Sequence, residues 1–267
     1  MLKQIAVTVD VETDWGGRLP MQGSNTAVGI KEKMPAILEI LDEHDIRATF
    51  FVSGEVVAHC HHILSQILDY GHEIASHGFR HMQYTKLSRM ELRNQIVRSK
   101  QVIREQIGAN VLGFRAPQLS FSLELIEILA DLGFRYDSSM IKGFFPGRYV
   151  NLTAPSKPFL IQGVWEIPVT NLPFVGFPMG LLWINAMGFG MFKWLFEKLE
   201  FSDTIVFYLH PFDLLACKPD RDPGFVIKEW YGYKSNKAQA TLNRLISYWK
   251  SQKVRFRVLR DIVTEGA

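Results

Sequence analysis

Residues 5–14 read Ile5-Ala6-Val7-Thr8-Val9-Asp10-Val11-Glu12-Thr13-Asp14, a β-branched run that passes straight into acids. The run predicts a first strand over residues 5–10. Side chains at i and i+2 of a strand share a face, so Asp10 and Glu12 project together while Val11 turns to the other side. Two carboxylates side by side at the end of a buried strand repel each other and lose hydration, which calls for a cation or a proton between them. The alternative is a solvated strand end whose acids do nothing.

Outward from this strand, β-rich and amphipathic helical runs alternate. Residues 31–44 place Met34, Ile37, Leu38 and Leu41 at helical spacing, and residues 47–52 form a β-branched, aromatic second strand. Further helices are predicted over 56–70, 88–107, 122–132 and 235–250, and further strands over 73–76, 111–115, 133–136, 164–169, 204–209 and 254–258. Repeated strand–helix alternation is the pattern of a parallel α/β fold. About seven such units favour a barrel over an open sheet. With no internal repeat, low-complexity tract or linker in view, residues 1–267 are expected to form one catalytic domain.

Composition narrows the function classes. A hydrophobic fraction of 47% with 21% charged residues is that of an ordinary globular protein. The net charge of +3 is too small to argue for nucleic acid, and no basic tract concentrates it. The two cysteines, Cys60 and Cys217, are too few for a disulfide framework. No signal-peptide pattern surrounds residues 5–7, since acidic Asp10 interrupts the apolar run, so a cytoplasmic location is expected. Residues 167–192 carry no charged side chain or histidine and are long enough to span a bilayer. Pro168, Pro173, Pro178, Gly176, Gly180, Gly188 and Gly190 interrupt them, and loop backbone is costly in lipid. The expectation is a buried loop followed by a helix over 181–198.

Other strand ends carry chemistry too. His77 and His81, four apart after the strand at 73–76, have metal-ligand spacing on a helix or tight turn. One or two carboxylates plus two imidazoles make a facial site suited to Zn²⁺ or another divalent transition metal and a water. Arg115, before Ala116 and Pro117, is a forked permanent cation that could hold a carboxylate, or a surface arginine before a turn. Asp137 precedes Ser138 and Ser139, where a helix cap is the simpler reading. His210 closes the strand at 204–209. In parallel barrels the C-terminal strand ends are where active sites are built, and here five of them carry Asp/Glu, His/His, Arg, Asp and His in turn. Trp15, Trp165, Trp183 and Trp230 could stack on sugar rings, or simply pack.

Taken in order, these residues resemble the polysaccharide deacetylase (NodB-homology) family from about residue 5 to 214. The resemblance rests on the acidic strand end Asp10–Glu12, on Ser76-His77 with His81, on Arg115-x-Pro117, on Asp137-x-Ser139 and on Leu209-His210. Gly71-His72-Glu73-Ile74 and Tyr136-Asp137-Ser138-Ser139 also read like the family, with His72 taken as structural. The resemblance implies a deformed TIM-like (β/α)7 barrel and hydrolysis of an N-acyl group, most simply N-acetyl, from an amino sugar or polysaccharide, with metal-bound water as nucleophile. It implies that Glu12, His77 and His81 hold a divalent metal, Zn²⁺ first and Co²⁺ or Ni²⁺ as substitutes. It implies that Asp10 is the general base, oriented by Arg115, and that His210 is the general acid, tuned by Asp137.

Two departures stand out. Most members have adjacent aspartates in the first motif, whereas here Val11 intervenes, so the ligand role passes to Glu12 with Asp14 in reserve. Gln118 stands where many members place an aromatic after the proline, though its backbone amide remains available to an oxyanion. The Asp-Val-Glu start and Ile167-Pro168-Val169-Thr170 resemble sub-branches that contain exopolysaccharide-associated deacetylases and deformylases of lipid-linked aminosugars. The apolar residues of 174–192 would suit peripheral contact with a membrane or a lipid-linked sugar, as well as a packed helix. The competing readings are the deformylase and a non-catalytic carbohydrate-binding barrel. The sequence leaves the oligomeric state open.

Overall fold

The computed structural model describes residues 3–13, 27–60, 62–145, 149–172, 177–215 and 237–265. The reserve ligand Asp14, Trp15, Cys217, Trp230 and the start of the helix expected at 235 lie outside them.

Seven parallel strands build the framework. They are β1 (Gln4–Val11), β2 (Thr49–Val52), β3 (Glu73–Ser76), β4 (Gly113–Phe114), β5 (Tyr136–Asp137), β9 (Val164–Glu166) and β10 (Thr204–Leu209), hydrogen-bonded in the order β10-β1-β2-β3-β4-β5-β9. An antiparallel hairpin, β6 (Gly143–Phe145) and β7 (Tyr149–Asn151), leaves the barrel after β5. β8 (Phe159–Ile161) pairs antiparallel with β9, and β11 (Arg255–Phe256) runs beside the first residues of β1.

The gap between β9 and β10 is crossed by main chain outside any strand. Thr170 N–H donates to Val206 O at 3.2 Å, Val206 N–H donates to Thr170 Oγ1 at 2.9 Å, and Tyr208 N–H donates to Met179 O at 3.1 Å. The result is a deformed TIM-like barrel of seven parallel strands.

Alternation along β1 sorts the core. Ile5, Val7, Val9 and Val11 face outward and pack with Met34, Ile37, Leu38 and Leu41 of α1 (Val28–Glu43) and with Leu242, Leu245 and Trp249 of α8 (Ala238–Ser251). Ala6 faces inward, where it meets Phe51, Ala75, Tyr136 and Val206 from other strands. Leu259, Ile262 and Val263 of α9 (Leu259–Glu265) belong to the same inner cluster. Buried Glu73, at the start of β3, ties that helix down: its carboxyl accepts from Thr49 Oγ1 at 2.7 Å, Tyr136 OH at 2.9 Å and Arg260 N–H at 3.2 Å. The inward positions that follow Ala6 are Thr8, Asp10 and Glu12, so the strand's period of two carries the acids into the barrel mouth.

Between the strands run α2 (Gly54–His59), α3 (His62–Asp69), α4 (Arg89–Ile107), α5 (Leu123–Asp131), α6 (Leu181–Met187) and α7 (Phe189–Lys198). Ser88 and Ser122 are N-caps rather than first helical residues, their hydroxyls accepting from Glu91 N–H and Leu125 N–H. The single helix expected over 181–198 is two, parted at Gly188, whose φ of +87° only glycine adopts without strain. The helix expected over 56–70 is likewise divided into α2 and α3. Among the described residues, no helix is long and apolar enough to cross a membrane.

Candidate metal and catalytic centre

Two strand ends converge on one point. Glu12 follows β1, and His77 and His81 follow β3. Glu12 Oε2 lies 3.2 Å from His77 Nε2 and 2.8 Å from His81 Nε2. All three candidate ligand atoms lie within 4.8 Å of one another. Ligand atoms about 2.1 Å from a shared tetrahedral ion stand roughly 3.4 Å apart, so the set matches a metal's first shell.

The loop from His77 to His81 is a tight turn, not a helix. Gly78 permits it, with φ of +69°, and a Cβ there would stand 1.8 Å from the Tyr84 hydroxyl. Gly78 N–H donates to Ser76 Oγ, and Phe79 N–H donates to that same Tyr84 oxygen at 3.1 Å. Sequence spacing placed the two histidines together; the packed glycine and tyrosine are what aim them.

Two imidazoles and a carboxylate make a donor set that could hold a divalent transition metal. His77 donates Nδ1–H to Arg115 O at 2.8 Å, so a neutral His77 turns its bare Nε2 toward the Glu12 carboxylate. Two lone-pair-bearing atoms facing each other at 3.2 Å require a proton or a cation between them. Burial opposes ionisation of Glu12, but His81 and His77, with His210 beyond them, hold its carboxyl well below the usual carboxylate range. His81 and His210 keep 11% and 19% of their side chains exposed, against 4% for Glu12, which leaves the cluster open on that side.

Arg115 is no surface arginine. It is fully buried inside the barrel, with its guanidinium 4.2 Å above the Phe51 ring. It donates to Asp10 Oδ1 at 2.8 Å, Thr8 Oγ1 at 2.8 Å, Ser138 O at 3.0 Å and Ser138 Oγ at 2.9 Å. A planar fork saturated in this way fixes one face of Asp10 beside the three-ligand cluster. After Arg115 the chain turns through Gln118 and Leu119, both left-handed with φ of +60° and +55°. Consecutive non-glycine residues in that region are costly and mark a functional constraint. The N–H groups of Leu119 and Ser120 are taken up locally by Ala116 O and Pro117 O, whereas among the described residues nothing accepts from Gln118 N–H.

His210 follows β10, and its Nε2 is 3.8 Å from Glu12 Oε1. Its partner corrects the expectation from sequence. Asp137 does not meet His210; its oxygens accept from Ser139 Oγ at 2.6 Å and Ser139 N–H at 3.3 Å, and Glu166 stands opposite it on the neighbouring strand. The residue that holds His210 is Asp213, whose Oδ2 accepts from His210 Nδ1–H at 3.3 Å and His210 N–H at 2.9 Å. The physical reason is strand position: Asp137 ends β5, which β9 separates from β10, whereas Asp213 closes the turn that begins at His210. Burial disfavours the imidazolium, but Asp213 outweighs it, with help from Glu12 and Asp10, and His210 is pushed up to about 9. The signal for Asp213 was present as His210-Pro211-Phe212-Asp213, a carboxylate three residues past a turn start.

The profile of the polysaccharide deacetylase family matches residues 3–136, the stretch that supplies Asp10, Glu12, His77, His81 and Arg115. The chain belongs to that family. Among family members similar to it, the peptidoglycan deacetylase of Helicobacter pylori is 26% identical over 161 residues, which is 57% of this chain and 55% of that protein. The chitooligosaccharide deacetylase of Sinorhizobium fredii is 29% identical over 100 residues, 37% of this chain and 46% of that protein. The matched stretch thus spans about half the length of these curated relatives. The solved structure of a probable polysaccharide deacetylase from Pseudomonas aeruginosa superposes with a TM-score of 0.68 at 16% identity, covering 98% of this chain and 89% of that one. It shares the fold.

Proposed function

We propose that the protein is a divalent-metal hydrolase that removes the N-acetyl group from an N-acetylated glycan of the peptidoglycan or chitooligosaccharide type. The observation that carries this reading is the convergence of Glu12, His77 and His81 on one point, between the Asp10–Arg115 pair and His210. A mere binding barrel has no use for a buried base and an acid arranged around a metal-ligand set. The names of the two relatives supply the substrate class.

Glu12, His77 and His81 would hold the cation, with Zn²⁺ best suited to two imidazoles and a carboxylate, and Co²⁺ or Ni²⁺ able to replace it. When bound, such a cation supplies a Lewis acid and lowers the pKa of a coordinated water from 15.7 towards about 7. Asp10 accepts the proton of the attacking water, and Arg115 keeps its carboxylate turned to that task. Charge developing on the acyl oxygen is met by the Gln118 N–H, for which the described residues offer no acceptor. His210, held as the imidazolium by Asp213, gives its proton to the departing amine. A carboxylate base beside an imidazole that stays protonated is the division of labour that amide hydrolysis needs near neutral pH.

The test is release of acetate from N-acetylchitooligosaccharides and from peptidoglycan by the zinc-loaded protein. Acetate from either glycan is the expected result. Formate from N-formyl sugars, with no acetate from either glycan, would replace the reading with a deformylase. His210→Ala is expected to lower kcat by about 10²–10⁴-fold, the usual contribution of a general acid, while metal content stays stoichiometric.

A further inference from the structure

One buried acid beside the site has no part in the chemistry above. Glu166 ends β9, is fully buried, and stands opposite Asp137 in the parallel ladder between β5 and β9. Its Oε1 accepts from Met140 N–H at 3.0 Å. Its Oε2 is buried, and among the described residues no N–H or hydroxyl donor reaches it. An ionised carboxylate oxygen left dry and unpartnered against a second carboxylate would be untenable at this position. A proton on that oxygen removes the difficulty, because the acid then donates to Asp137. Burial, reinforced by the charge of Asp137, pushes the Glu166 carboxyl well above the usual range.

We propose that Glu166 is a positioning residue, a neutral carboxylic acid that clamps Asp137 and through it sets the turn carrying Arg115 and Gln118. The inference rests on the deacetylase reading for its catalytic consequence, though not for the protonation state. The chain of contacts is continuous. Once protonated, Glu166 Oε2 donates to Asp137, its partner in the strand register, and Asp137 accepts from Ser139 Oγ at 2.6 Å. Ser139 Oγ in turn accepts from Ala116 N–H at 2.7 Å, the peptide between Arg115 and Pro117. Arg115 holds Asp10 through its guanidinium and receives His77 Nδ1–H on its carbonyl. The proton on Glu166 therefore completes a lattice whose far side orients both the base and one metal ligand. The Met140 N–H contact ties the same carboxyl to the chain just past Ser139, so the end of β5 is held from two directions. Asp137 acts here as an acceptor at the centre of the lattice, and that is why it is unavailable to His210.

Substitution by glutamine discriminates this arrangement from an ionised acid paired with Arg115. A glutamine amide keeps one donor for Asp137 and one acceptor for Met140 N–H, whereas a leucine of similar size keeps neither. The experiment measures kcat, KM, zinc content and thermal midpoint for Glu166→Gln and Glu166→Leu. It adds the infrared difference spectrum of wild type minus Glu166→Gln at pH 7, in the region of protonated carboxyl C=O stretching. The expected result is a protonated-carboxyl band lost on substitution, with kcat in the glutamine variant within about 3-fold of wild type. Glu166→Leu is expected to lose about 10–100-fold in kcat, with KM within 2-fold and zinc retained. Absence of that band, a tenfold loss of kcat in Glu166→Gln, or unchanged kcat in Glu166→Leu would each overturn the proposal. Should Glu166→Leu fail to fold, the band and the glutamine variant decide. Should wild type release no acetate, the deacetylase reading falls while the infrared band still judges the proton on Glu166.

Discussion

Arg115 and His210 show how single residues acquire roles from their surroundings. Arg115 could be read from sequence as a surface arginine or as a carboxylate clamp, and only its full burial and four hydrogen-bond contacts settle which it is. Breaking a buried, hydrogen-bonded ion pair costs about 3–5 kcal/mol. Arg115→Met is therefore expected to lower unfolding free energy by about that amount in urea titrations of the metal-free protein, since Asp10 is left charged and dry. His210 makes a pH prediction whose sign follows from Asp213. As the acid proposed above, His210 must carry its proton, and its pKa is raised to about 9, so the rate should hold through neutral pH and fall as pH rises through about 9. Asp213→Asn removes the strongest stabiliser of the imidazolium, so the alkaline limb of a pH–kcat profile should move to lower pH. An unmoved limb would assign that titration to another group. The sequence exposed His210 because it ends a strand. It marked Asp213 only by a capping position, which carries no periodicity, and it suggested Asp137, which is bonded by Ser139 two residues on and faces Glu166 through the β5–β9 register.

At the scale of elements, what could be read in advance was what repeats. β3 and β10 have the expected boundaries, and β1 differs by one residue at each end, because β-branched runs bounded by polar residues specify strands locally. The expected helix over 88–107 is α4 with Ser88 as its cap. The hairpin of β6 and β7 and the short β8 escaped, since three-residue strands fall below the length at which alternation can be recognised. The turn that aims His77 and His81 depends on a tertiary contact: Gly78 is required both by its backbone and by the Tyr84 hydroxyl packed against it. Gly78→Ala is therefore expected to weaken zinc affinity by about 10–100-fold, as loss of an outer-shell support does, and to lower the thermal midpoint. Competition with a chelating dye would measure the first effect. An alanine variant that binds zinc as tightly as wild type would show that the turn tolerates a side chain.

For the whole molecule, about seven strand–helix units favoured a barrel, but its closure is written in contacts without periodicity, such as Thr170 with Val206 and Met179 with Tyr208. Closure matters to function because it turns five separate strand ends toward one mouth. Asp10 and Glu12 from β1, the histidine turn after β3, Arg115 after β4, Asp137 on β5 and His210 after β10 are distant in sequence, and their shared location follows from all these strands pointing the same way. On the proposed function this convergence holds a catalytic metal. The decisive measurement is calorimetric titration of Zn²⁺ into the metal-free protein, wild type beside the His77→Ala, His81→Ala double variant, with acetate release assayed on the same samples. One zinc per chain in wild type, with binding and acetate release lost together in the double variant, is the predicted result. A folded wild-type protein that takes up neither Zn²⁺, Co²⁺ nor Ni²⁺ would contradict it.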